Sequence, residues 1–212
     1  MAPQAGSRPL VTAPHRRLRA ALLLGCAVVA VAGCTDGGGA TSTPPSATAH
    51  SRPVPSPLNS AKFKADPCAA VTTDQLASIG FAQGTRKAGR EGECYIEFSP
   101  TSGVSLLRSP DGTPDGLDAL YQRHARGFDT GNHWEERTVE GYPAVITAIE
   151  ANTPSRQGLG PLSCTLALGI DDATTVTIRV GTYEQPTAGP WQYDPCGAAA
   201  KIAAFAVSSL RT

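Results

Sequence analysis

The tripeptide Asp-Pro-Cys occurs twice in this 212-residue chain, as Asp66-Pro67-Cys68 and as Asp194-Pro195-Cys196. Asp is a strong helix N-cap, proline suits the first helical position, and the cysteine then falls in the first turn. Each copy predicts a helix start that a sulfur can hold to a strand. Cys94 and Cys164 lie between the two copies, both in β-rich stretches. Four cysteines allow three pairings. Local economy favours Cys68 with Cys94 and Cys164 with Cys196, each closing a loop of about 30 residues and contributing roughly 3 to 4 kcal/mol in the chain-entropy model. A zinc site is the competing use, but no cysteine pair has close ligand spacing. We expect no metal and no cofactor.

Disulfides require an oxidising compartment, and the amino terminus points to one. His15-Arg16-Arg17-Leu18-Arg19 precedes an apolar stretch too short for a stable spanning helix, which closes on Val31-Ala32-Gly33-Cys34. A basic start, an apolar segment and small residues before a cut site are the layout of a secretory signal. The pattern resembles the bacterial lipoprotein signal, in which the cysteine thiol takes a diacylglycerol and becomes the new amino terminus. That resemblance implies a signal peptide over 1–33, lipidation at Cys34 and a place on the extracytoplasmic face of the cell membrane, with the membrane itself as a partner. One acyl chain holds weakly, at about 0.8 kcal/mol per buried methylene, whereas two or three chains on one residue hold firmly.

Residues 34–61 are mostly Gly, Ser, Thr, Pro and Ala, with Gly37-Gly38-Gly39, Pro44-Pro45 and then Pro53, Pro55 and Pro57. Such a composition buries too little apolar surface to offset its ordering entropy and predicts a disordered tether. The remaining 62–212 is the size of one domain. Loss of 1–33 removes four arginines and no acid, so the balanced whole chain leaves 14 basic against 18 acidic residues, net −4. An acidic surface without a Lys/Arg run is a poor match for phosphate backbones, which excludes nucleic acid as the expected partner.

Within the domain, Thr72-Thr73-Asp74-Gln75 reads as a capping box with Val71 and Leu76 as its staple and Gly80 as the helix stop. Cys94, Ile96 and Phe98 alternate with Tyr95 and Glu97, and a turn at 100–103 leads into a second strand over 104–107. Thr113-Pro114-Asp115 predicts the cap of a helix carrying Leu117, Leu120, Tyr121 and His124 on its inner side, with Asp118, Gln122 and Arg126 outside and Gly127 as the stop. Strands follow over 134–139, 144–149, 164–168 and 174–180, and an alanine-rich helix over 198–210 closes the chain. Short turns between strands favour an antiparallel sheet, and three amphipathic helices need a face to cover, so the fold class is α+β. The element order resembles the fold shared by Mog1 and PsbP, an antiparallel sheet flanked by helices.

Asp66-Pro67-Cys68, the short helix after it, Cys94-Tyr95, Val139-Glu140-Gly141-Tyr142-Pro143-Ala144-Val145 midway and Asp194-Pro195-Cys196 before the last helix together resemble the actinobacterial lipoproteins grouped as the domain of unknown function 3558. The resemblance covers nearly all of 64–212. It implies export and a single disulfide-braced domain, and no activity.

Reactive constellations are sparse. The metalloprotease strings H-x-x-E-H and H-E-x-x-H and the nucleophile elbow G-x-S-x-G do not occur. His124 on a helix face reads as structural and His133 beside Trp134 as exposed. Asp171-Asp172 reads as turn chemistry, Glu135-Glu136 alternates across a strand, and Gly158-Leu159-Gly160-Pro161 opens no helix. Loop regions 152–162 and 181–191 hold Tyr183 and Trp191, which together with His133 are the candidate contacts for a ligand or partner. We expect a lipid-anchored protein that binds an envelope component or a ligand without catalysis. The alternatives are an envelope hydrolase using His124 or His133 with a distant acid, and a structural subunit of a membrane complex.

Overall fold

The computed structural model describes residues 50–81, 83–99, 102–108, 116–128, 133–150, 163–182, 191 and 193–211. The chain divides into units 1–44 and 45–212, and every described residue belongs to the second. The signal peptide, Cys34, the tether up to residue 49, Tyr183 and the loop 152–162 lie outside the described residues.

Four helices and seven strands follow one another as α1 (Ser60–Ala65), α2 (Thr73–Ser78), β1 (Thr85–Lys87), β2 (Glu93–Ser99), β3 (Ser102–Leu107), α3 (Leu117–Ala125), β4 (Glu135–Val139), β5 (Tyr142–Glu150), β6 (Ser163–Asp171), β7 (Thr174–Thr182) and α4 (Pro195–Leu210). Both Asp-Pro-Cys copies cap as their chemistry dictates. Asp194 accepts the Gly197 amide at 2.8 Å and starts α4. Asp66 accepts the Cys68 amide at 3.0 Å but opens only a single 3₁₀ turn, Pro67–Ala70, rather than the expected helix. Val71 then turns extended, and the Thr72–Gln75 capping box starts α2 afresh, with both of its reciprocal bonds formed.

All strand pairs are antiparallel, in the order β1-β2-β3-β7-β6-β5-β4. Period-two alternation sends Leu166 and Leu168 of β6 with Val176, Ile178 and Val180 of β7 to one face. There the alanine stripe of α4 lets the helix lie close, with Ile202 and Leu210 fully buried. Cys68 bonds Cys94 and Cys164 bonds Cys196, so each Asp-Pro-Cys start is fastened to a strand of this face.

Among the described residues one helix lies on the opposite face. α3 places Leu117 and Tyr121 on Val145 of β5 and Ala167 of β6, with Leu120 and Trp134 at the margin. Its N-cap is Gly116 and not the expected Thr113 group. The reason is contact: a Cβ at residue 116 would collide with the Asp172 carbonyl in the β6–β7 turn. Its end is the expected one, with Gly127 at φ 72° and the Phe128 amide reaching back to the Arg123 carbonyl.

The composition places 50–61 in a disordered tether, and the structure corrects this. His50 to Leu58 run along the domain as an ordered strap, and α1 crosses the expected boundary at residue 61. The Leu58 amide donates to the Ile170 carbonyl at 2.8 Å, and the Tyr142 hydroxyl donates to the Ser56 carbonyl at 2.9 Å. Leu58 is buried and Val54 packs on the core. Two apolar side chains set among prolines whose φ is already fixed lower the ordering cost enough for burial to win.

Candidate binding surface

The strap meets α3 at a carboxylate. One oxygen of Asp118 accepts both the amide and the hydroxyl of Ser51, at 2.6 and 2.7 Å, and the other lies 3.2 Å from His50 Nδ1. The Ser51 hydroxyl is the main cause holding the Asp118 carboxyl below the usual range; burial opposes it, and the Ser51 amide and His50 add to the lowering. A cavity of about 340 Å³ opens here between His50, Arg52, Leu117, Asp118 and Asp171. Burial pushes Asp171 up, but hydrogen bonds led by Ser60 and the Ala173 amide, with the Lys64 charge, outweigh it and bring its carboxyl below the ordinary value. Both carboxylates are therefore ionised at neutral pH and act as fixed acceptors rather than proton donors.

Beside this cleft Tyr121 is pushed up to about 12, first by burial and then by the charge and hydrogen bond of Glu136. Trp134 meets Tyr121 edge-on with centroids 5.0 Å apart, and the His124 ring stacks on its other contact face at 3.7 Å, nearly parallel at 7°. His133 is half-buried where the sequence predicts exposure, because its Nε2 lies 3.2 Å from Glu135, which also pairs with Arg137 at 2.6 Å.

The β1-β2-β3-β7 half of the sheet bears no helix on the α3 side among the described residues. Tyr95 lies across it, over Gly103 of the neighbouring strand, where a Cβ would come within 2.5 Å of the ring. Burial, then the charges of Glu97 and Glu93, raise the Tyr95 hydroxyl above its ordinary value. Lys87 pairs with Glu97 at 3.5 Å on one flank and Arg179 with Glu150 at 3.1 Å on the other.

Of the sequence-predicted contacts, Trp191 is half-buried against the main core and its indole N–H donates to the Ile79 carbonyl, joining the end of α2 to the approach of α4. His133 instead pairs with Glu135 at the start of the edge strand β4, so Trp191 and His133 have separate partners, and Tyr183 lies outside the described residues. Asp118 and Tyr95 are the residues that sequence reasoning missed. Tyr95 was legible as facing away from the disulfide side, and Asp118 only as an outward helical position.

Both disulfides and every described strand fall inside one family match. A family model for a protein of unknown function (DUF3558) covers residues 29–209. The chain belongs to the DUF3558 family. Neither a curated protein nor a solved structure matches this DUF3558 chain. Among its described residues no three His, Cys, Asp or Glu side chains gather as metal ligands, and no helix is long and apolar enough to cross a membrane.

Proposed function

We propose that this DUF3558 protein is an actinobacterial lipoprotein, acylated at Cys34 after removal of 1–33 and held on the extracytoplasmic face of the cell membrane, where its domain binds another envelope component without catalysing a reaction. Support for the anchor comes from the basic, apolar and small-residue succession ending at Cys34. The two disulfides agree with an exported domain. We also read the layered helix and strand order as Mog1/PsbP-like, an analogy of order that carries no function.

The observation that carries the binding role is the sheet face, bare of any described helix over β1, β2, β3 and β7, on which Tyr95 is flanked by opposed ion pairs. A broad face with one aromatic shelf and fixed charges of both signs suits a polar partner surface. Binding rather than turnover is favoured because the cleft carboxylates Asp118 and Asp171 are held well away from the near-neutral range that proton transfer requires.

The test is photo-cross-linking on intact cells from a reactive residue introduced at Tyr95, with the exposed Tyr193 as the reference position. A discrete adduct from position 95 and none from 193 is expected. Labelling that is equal at the two positions, or absent at 95, refutes the assignment of this face.

A further inference from the structure

Resting on the Cys34 anchor proposed above, we infer that the carboxyl end of α3 docks on the anionic headgroups of the bilayer to which the protein is tethered. The strap decides which side of the domain is available. Its first described residues are clasped to Asp118 in the opening turn of α3, so the described chain begins on the α3 side of the sheet. Fifteen residues separate His50 from Cys34. A segment of that length reaches about 54 Å at full extension and about 20 Å as a coil. α3 is thus within reach of the lipid.

What α3 presents there is chemically suited to a headgroup layer. Phe128, just past the helix end, is 70 % exposed, and the Arg126 guanidinium lies 5.6 Å from its ring centroid. Arg123 is exposed one turn earlier. An aromatic ring beside two guanidinium groups can sink at the interface while the cations meet phosphate. Among the described residues the acids nearest on this side are engaged, Asp118 by Ser51 and His50 and Glu136 by Tyr121, and the two arginines outnumber Asp129, which follows Phe128 in the sequence. The net charge of −4 after residue 33 repels the remaining surface from an anionic bilayer, so this basic end is the part that can approach.

The mature acylated full-length chain is placed on vesicles of phosphatidylglycerol with phosphatidylcholine, and on vesicles of phosphatidylcholine alone. Flotation reads the anchor, and hydrogen exchange of residues 117–128, with α4 as internal reference, reads the docking. We expect flotation on both, several-fold slower exchange in α3 on the anionic vesicles only, and loss of that slowing at high salt. The triple variant Arg123→Glu, Arg126→Glu, Phe128→Ser should float unchanged and lose the slowing. The pair Arg123→Lys, Arg126→Lys should keep it, which covers misfolding of the triple variant. Flotation with identical α3 exchange on both vesicle types overturns the docking and leaves the anchor standing. Absence of flotation from either vesicle removes the anchor and the inference with it.

Discussion

Asp118 joins two segments 67 residues apart, and a single oxygen takes both Ser51 bonds. Replacing it with Ala removes partners from a half-exposed site, where each net hydrogen bond is worth about 0.5 to 1.5 kcal/mol. The expected result is an intact domain whose strap becomes cleavable in limited proteolysis near Arg52. Acid has the same effect for a reason that fixes its sign. The Asp118 carboxyl is lower when folded than its ordinary value of about 3.9, so its contribution is complete above that value and fades as pH falls through the folded one. Strap protection in hydrogen exchange should therefore decline below about pH 4 while the core stays closed. Tyr121 behaves oppositely. Its hydroxyl is raised to about 12, so stability is complete below the ordinary tyrosine value of about 10 and is lost as pH rises from there through the folded value. Tyrosinate absorbance should show a late-titrating group that disappears in Tyr121→Phe. Neither partner choice was legible in the sequence, because local spacing reveals neighbours three or four residues apart and says nothing of a serine 67 residues away.

At the scale of elements the capping chemistry was almost fully legible. The Thr72 box, the Gly80 and Gly127 stops and the Asp194 cap all form from contacts within a few residues. Thr72→Ala should cost about 1 kcal/mol, read as a lowered unfolding midpoint. What escaped is instructive. β1 has three residues, all exposed, and no periodicity to announce it. The Asp66 copy carries the same tripeptide as the Asp194 copy yet ends after one turn, because a second cap follows within six residues. The favoured disulfide pairing is the one formed, and each bond crosses from the helical layer to the sheet. Cys164→Ala with Cys196→Ala should cost about 3.7 kcal/mol in denaturant unfolding by the chain-entropy estimate, with the Cys68–Cys94 link retained in non-reducing peptide maps. Gly103→Ala should lift Tyr95 off its neighbour strand and weaken any adduct formed from that face.

For the molecule as a whole, hairpin turns and strand alternation identified an α+β antiparallel sheet, but they did not reveal that β7 inserts between β3 and β6. That insertion is long-range: the strands pair with residues roughly 75 positions away, as in Val104 with Val180. It buries Val180 and Ile178 at the centre and pushes β1 and β4 to the rims, where short length and the charges of Glu135, Glu136 and Arg137 discourage further pairing. Cys34→Ala is expected to release the protein from the membrane fraction or leave an uncleaved precursor, and unaltered fractionation would remove the anchor from the account. The clasp at Asp118 has a mechanical corollary. A tug arriving along the chain from its amino-terminal side would first meet a few hydrogen bonds, and only after these had peeled away would it reach the buried Leu58 and the cross-linked interior. On that order of rupture the strap would yield under load before the interior it is fastened to.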